Sequence, residues 1–120
     1  MKRAALVAVA LAALCAPGAA LAHAFLDHAQ PAVGSTVHGQ PAEVKLWFTQ
    51  RLEPAFSRVR VLDADGRQVD AKDKRIDAAD ATLMRVSLPK LAPGKYRVVW
   101  RVLSVDAHAT EGDYTFEVAP

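Results

Sequence analysis

The feature that most constrains the fold of this chain is a two-residue alternation of apolar and polar side chains. In the segment KYRVVWRVL, residues 95–103, every second position is apolar, namely Tyr96, Val98, Trp100 and Val102. The segment DYTFEV, residues 113–118, repeats the pattern with Tyr114, Phe116 and Val118. Successive side chains of a β-strand point to opposite faces of a sheet, so this spacing predicts two strands that each bury one face.

Similar segments recur along the chain and predict further strands. They are AEVKLWFT at 42–49, SRVRVLD at 57–63, ATLMRVSL at 81–88 and a short strand near HAFLDHA at 23–29. Turn-forming pairs such as Asp65-Gly66 separate them, and the charged segment 70–80 is expected to be an exposed connection that can include one helical turn. About seven strands with a turn about every ten residues are typical of an all-β, Greek-key sandwich or barrel, and we predict that fold class.

The first 22 residues have the pattern of a secretory signal peptide. Lys2 and Arg3 precede an apolar segment at 4–16, and Ala20-Leu21-Ala22 matches a small-x-small cleavage signal. The apolar segment is shorter than the ~20 residues that a membrane-spanning helix needs. We therefore predict export to the periplasm and cleavage after Ala22, which leaves one domain, residues 23–120, without a membrane span of its own.

Cys15 leaves a lipid-anchored form open as an alternative, because a cysteine after an apolar leader can be lipidated. Leu14 stands before it, where a lipoprotein signal has a small residue. Cleavage after Ala22 would remove the one cysteine, so the domain is predicted to need no disulfide in an oxidising compartment. It would also remove two of the 15 basic residues, and the remaining 13 would balance 13 acidic residues. Balanced charge gives no argument for binding nucleic acid or an acidic membrane surface.

Three residues suggest a metal site. Cleavage after Ala22 makes His23 the first residue, whose free amine and imidazole can chelate one ion. Asp106 and His108 stand two positions apart between the last two strands, and in an extended segment they would point the same way. Three nitrogens and one oxygen suit one Cu(II) ion per chain, with Zn(II) as an alternative. Taken singly, each residue has an ordinary alternative as a solvated histidine or a turn aspartate.

The pattern of the whole domain resembles the CopC family of periplasmic copper-binding proteins. The resemblance begins at His23, continues through QPAVGSTV at 30–37 and PAEVKLWFTQRLE at 41–53, and is most specific in LAPGKYRVVWRVLSVDAHATEGDYTFEV at 91–118. It implies a seven-stranded cupredoxin-like or immunoglobulin-like fold, with His23, Asp106 and His108 as Cu(II) ligands. It also implies a copper carrier or buffer in copper homeostasis or resistance, not an enzyme, with a separate CopD-type inner-membrane transporter as partner.

Two departures from the family pattern refine this expectation. Gln50 stands where some members have an acidic residue proposed as a further ligand, and Glu53 follows three residues later, so we predict no fifth protein ligand. Other members carry a methionine-rich loop for Cu(I), whereas the matching segment 62–80 has no methionine. Met84 is expected to fill the core. The chain is therefore predicted to bind Cu(II) only.

The remaining chemistry-bearing side chains have ordinary structural roles in this interpretation. We expect surface positions for His28, His38, Arg97 and Arg101, and core or face packing for Trp47 and Trp100.

Two functions other than copper carriage stay open. One is a copper oxygenase with an N-terminal histidine brace, disfavoured by the low aromatic content of the chain, 7%, and by Asp106 as a fourth ligand. The other is a metal-independent interaction module.

Overall fold

The computed structural model describes residues 24–120, so the predicted signal peptide and His23 lie outside the described residues. The described part is built from β-strands and one short 3₁₀ turn at Pro54–Phe56. The strands are β1 (Leu26–Gln30), β2 (Thr36–Val37), β3 (Glu43–Phe48), β4 (Arg58–Leu62), β5 (Arg75–Ile76), β6 (Leu83–Ser87), β7 (Gly94–Leu103) and β8 (Ala109–Val118). Over this range, no helix is long and apolar enough to cross a membrane.

The strands form two four-stranded sheets that pack face to face. Sheet I has the order β1-β3-β6-β5, and sheet II has the order β2-β8-β7-β4. Only the short β2–β8 pair is parallel among the pairs in the described range. The all-β sandwich is thus confirmed, with eight strands where about seven were predicted, because two strands are only two residues long.

The core lies between the sheets and is built by the predicted alternation. Sheet I contributes Val44, Leu46, Phe48, Met84 and Val86, and sheet II contributes Val59, Val61, Tyr96, Val98, Trp100, Val102, Tyr114, Phe116 and Val118. Met84 is fully buried, as expected for a core methionine. The residues of β4 and β7 that alternate with these core residues point outward, and most of them are charged and exposed.

The prediction for segment 70–80 was only partly correct. It contains no helical turn, and it forms strand β5 against β6. Asp70 is buried, and its carboxylate accepts hydrogen bonds from the backbone N–H groups of Val61 (2.8 Å) and Lys72 (2.9 Å). An edge strand exposes unpaired N–H groups, and Asp70 satisfies one of them on β4. The polar composition of the segment predicts an exposed aspartate and does not reveal that Asp70 accepts backbone hydrogen bonds in a buried position.

One end of the sandwich brings three chain segments together. Strands β7 and β8 pair over all ten residues, so the five-residue link 104–108 closes their hairpin at that end. The β3–β4 connection lies beside it, since Leu52 bridges to Ser104 and the N–H of Val105 donates to the carbonyl of Arg51 (3.0 Å). The first described residue, Ala24, is buried at the same end.

Candidate metal centre

The link between β7 and β8 is a tight turn, and the predicted extended conformation was wrong. The N–H of Ala107 donates to the carbonyl of Ser104 (2.9 Å), and the N–H of Ser104 donates to the carbonyl of His108 (3.0 Å). Ala107 has a φ of 70°, in the left-handed region that non-glycine residues rarely adopt. The turn reverses the chain in five residues, and a two-residue side-chain period does not apply within it.

The turn nevertheless brings the two predicted ligands together. The Nδ1 atom of His108 lies 3.3 Å from Oδ1 of Asp106. Their side chains are 48% and 41% exposed, so an ion can reach both from solvent. An imidazole nitrogen beside a carboxylate oxygen is a donor pair that fits Cu(II) or Zn(II).

Ser104 fixes the positions of Asp106 and His108 through hydrogen bonds. Ser104 is fully buried, and its hydroxyl donates a hydrogen bond to Oδ1 of Asp106. The hydroxyl oxygen Oγ of Ser104 also accepts a hydrogen bond from the backbone N–H of His108 at 3.3 Å. The hydrogen bond from Ser104, and secondarily the one with His108, holds the pKa of the Asp106 carboxyl below its ordinary value. The carboxylate is therefore ionised and oriented at neutral pH, as a metal ligand must be.

The start of the described chain is fixed beside this link. The hydroxyl of Thr110, two residues after His108, donates to the carbonyl of Ala24 at 2.5 Å. The next residue, Phe25, is tied by two hydrogen bonds to Thr49, at 2.9 and 2.8 Å. His23 itself lies outside the described residues, but it is covalently joined to Ala24, and consecutive Cα atoms are ~3.8 Å apart.

No three His, Cys, Asp or Glu side chains in the described part of the chain are grouped closely enough to hold an ion. Asp106 and His108 are therefore two donors of a set that needs at least one more. Ser104 and Thr110 both lie within the motif at 91–118, but no role was predicted for them from the sequence. Hydroxyl residues that flank a candidate Asp-x-His pair are the signal that was available.

The other histidines and the tryptophans considered from the sequence lie away from the link. His28 is on the surface of β1, where Nδ1 is 2.6 Å from Oδ2 of Asp27 and the ring stacks on Trp47 at 4.3 Å. His38 is exposed. Trp100 is buried and meets Phe48 edge-on, with 5.2 Å between ring centroids. The surface and packing positions predicted for these side chains agree with the structure.

Comparison with known proteins gives a consistent family. The CopC domain model matches residues 26–119. Protein YobA of Escherichia coli (strain K12) is 35% identical over 98 residues, which are 81% of this chain and 79% of that protein. Copper resistance protein C of Xanthomonas campestris pv. juglandis is 32% identical over 116 residues, which are 92% of this chain and 91% of that protein.

Solved structures agree with the sequence comparison. The crystal structure of CopC from Methylosinus trichosporium OB3b superposes with a TM-score of 0.77 and 39% identity, covering 82% of this chain and 95% of that one. PcoC from Escherichia coli, described as a methionine-rich copper resistance protein, gives a TM-score of 0.72 and 31% identity, covering 81% and 99%. The chain is thus similar to these proteins in both fold and sequence.

Proposed function

This chain belongs to the CopC family, and on that premise we propose that it binds one Cu(II) ion and carries or buffers it in the periplasm. The observation that supports this most directly is the approach of His108 Nδ1 to Asp106 Oδ1, at 3.3 Å, in an exposed link. The name of the Xanthomonas relative supports a role in copper resistance. The ion is cargo in this proposal, so no chemical reaction is assigned to the domain.

The proposed ligand set is the amine and imidazole of His23, the imidazole of His108 and the carboxylate of Asp106. Two observations support the participation of His23. The carbonyl of Ala24 is held by Thr110 beside the link, and the described residues alone lack a third nearby donor. Cleavage of the signal peptide after Ala22 is part of the proposal, because an amide nitrogen in mid-chain would not offer the same chelate ring.

The preference for Cu(II) over Cu(I) is argued from the donors that are present. Nitrogen and carboxylate oxygen favour the harder ion, whereas Cu(I) selects thioether or thiolate sulfur. Met84 is the only methionine within residues 24–120, and its side chain is fully buried in the core. PcoC, by contrast, is described as methionine-rich. We therefore propose a site that releases copper when the ion is reduced, and a separate CopD-type inner-membrane protein as the partner that receives or supplies it.

The decisive test is a comparison of N-termini. Protein beginning at His23 is titrated with Cu(II), followed by electron paramagnetic resonance, and compared with protein carrying one added glycine before His23. We expect the added residue to weaken binding by about 100-fold or more, since the α-nitrogen of His23 then belongs to a peptide bond and no longer chelates as an amine. His108→Ala should weaken binding similarly, and His28→Ala is the matched control because it removes an exposed imidazole away from the link.

Each result has a defined meaning for the proposal. Equal Cu(II) affinity of the two N-termini would show that the amine is not a ligand. Tighter binding of Zn(II) than of Cu(II) in the same competition assay would replace the proposed ion. Retention of Cu(I) against a strong Cu(I) chelator would reveal a soft site that the donor set does not provide.

A further inference from the structure

The outer face of sheet II carries a groove lined by arginines on adjacent strands. This cavity of about 660 Å³, here called the arginine groove, is lined by Arg58 and Arg60 of β4, by Arg97, Val99 and Arg101 of β7, and by Glu111 and Asp113 of β8. Arg58 lies directly opposite Arg101 in the strand register. Like charges directly opposite each other on a sheet destabilise it. The groove therefore bears a cost that the fold alone does not require.

The charges of the groove are only half compensated within the domain. Arg97 pairs with Asp113 at 2.6 Å, and Arg101 pairs with Glu111 at 3.3 Å. Arg58 and Arg60 are exposed and form no ion pair with any residue of the range 24–120. Two guanidinium groups thus face solvent side by side. Guanidinium forks match carboxylates in a bidentate geometry.

An exposed aromatic side chain connects the groove with the candidate metal centre. Phe56, in the 3₁₀ turn, is 68% exposed, the largest value among the exposed large apolar side chains of the described range. A second depression of about 290 Å³ is lined by Phe56, Arg58, Arg101 and Ala109, among others. Ala109 directly follows His108, so the surface is continuous from the link to the arginines. Exposed aromatic residues and arginines are the types that protein interfaces select.

We propose that the arginine groove and Phe56 form a docking surface for an acidic segment of a partner protein. Carboxylates of that segment bind Arg58 and Arg60, and one of its apolar side chains packs on Phe56. An anionic membrane fits less well, because Glu111 and Asp113 of β8 line the groove on the side of Arg101 and Arg97, and Glu117 lies farther along the same face of β8. A flat anionic surface would meet these carboxylates, whereas a narrow segment can lie along β4, where Arg58 and Arg60 have no carboxylate partner among the described residues.

The identity of the partner as a protein that exchanges copper rests on the proposed function. A segment that extends from the groove over Phe56 reaches the depression lined by Ala109, next to His108, which is where an ion would be handed over. The docking surface itself does not depend on copper. It can therefore be tested with metal-free protein, and the two proposals can fail separately.

The experiment measures binding of a fluorescent, end-capped peptide of eight glutamates around a central leucine to the purified metal-free protein. We expect saturable binding that weakens with salt, as charge pairing at an exposed surface does. Arg58→Glu/Arg60→Glu and the milder Arg58→Gln/Arg60→Gln should each weaken it at least tenfold, and Phe56→Ala should weaken it about threefold or more. The matched control, Arg67→Glu/Lys90→Glu, makes the same change in net charge at exposed positions away from the groove.

The outcomes are distinguishable. Equal weakening by the control pair, or no saturable binding at all, would overturn the docking surface. Binding of phosphatidylglycerol vesicles, but not of the peptide, in a manner that requires Arg58 and Arg60 would replace the protein partner with a membrane. Cu(II) affinity should be unchanged in Arg58→Gln/Arg60→Gln, and peptide binding should be unchanged in His108→Ala. These two controls separate failure of the docking surface from failure of the copper site.

Discussion

Ser104 is the residue on which the geometry of the candidate metal centre depends. It is fully buried at the end of β7, and its one hydroxyl contacts both the Asp106 carboxylate and the His108 backbone. His108 itself is about half exposed. One residue therefore supports the link, and the other offers its side chain to an ion. Substitutions at the two positions should separate stability from metal binding.

We expect Ser104→Ala to lower the free energy of unfolding by about 1–3 kcal/mol, because the buried Ser104 hydroxyl and its partly buried hydrogen bonds to Asp106 and to the N–H of His108 are lost. Cu(II) affinity should fall as well, since Asp106 loses the bond that orients it. His108→Ala should leave the free energy of unfolding of metal-free protein within about 0.5 kcal/mol, as is usual for surface substitutions. Urea unfolding and Cu(II) competition on the same samples test both effects. A Ser104→Ala protein with unchanged stability would show that the hydroxyl does not hold the link.

At this scale the sequence predicted the pair of residues but not the way they meet. Asp106 and His108 were identified by their spacing and by resemblance, under the assumption of an extended link. The turn depends on the left-handed conformation of Ala107, and alanine carries no sequence signal for that conformation, as glycine or asparagine would. The role of Ser104 depends on burial at a hairpin end, which appears only when the strands are paired.

The β7–β8 hairpin is the element that carries the link, and its packing depends on Gly112. Trp100 lies opposite Gly112 in the register, and a Cβ added at Gly112 would lie 2.5 Å from Cζ2 of the indole. The ring also contacts Phe48 of the other sheet. Glycine is therefore required here by the close approach of the indole ring, and not by backbone conformation.

We expect Gly112→Ala to destabilise the protein by about 1–3 kcal/mol, the usual cost of overpacking a core. The near-ultraviolet circular dichroism of the tryptophans should change with it. In a double-mutant cycle with Trp100→Phe, the smaller ring should remove most of the added cost of Gly112→Ala. Strictly additive effects of the two substitutions, measured by urea unfolding, would contradict the proposed contact.

Elements with a clear period were predicted well, and the shortest ones were not. The alternation in β3, β4, β7 and β8 extends over five to ten residues and matches the observed burial. Strands β2 and β5 have two residues each, which is too short to show a period. Their pairing is determined by neighbouring strands, and that information is not local in the sequence.

Across the whole molecule, charge is distributed unequally between the outer faces of the two sheets. Sheet II leaves Arg58 and Arg60 unpaired among the described residues, whereas sheet I joins its charges into a network. Glu43 binds Arg85 at 2.6 Å, and Arg85 also binds Asp77 at 2.8 Å. These side chains are 16–29% exposed, so solvent screens them less than it screens the pairs of sheet II. The network links β3 and β6 to the residue that follows β5.

This network predicts how the stability of the domain depends on pH. Hydrogen bonding to Arg85 lowers the pKa of Glu43 from 4.5 and that of Asp77 from 3.8. A carboxyl group whose pKa is lower in the folded state stabilises the protein above its unfolded pKa, and the contribution is lost as pH falls through the folded value. We therefore expect the urea midpoint of metal-free protein to fall as pH decreases below about 4.5.

Arg85→Gln should lower the midpoint at pH 7 and make its further fall in acid shallower, because the carboxyl groups of Glu43 and Asp77 then titrate nearer their ordinary values. Arg101→Gln, which removes an exposed ion pair, is the matched control and should leave the acid dependence close to that of the unmodified protein. Parallel pH profiles for the unmodified protein and Arg85→Gln would show that the network does not stabilise the folded state.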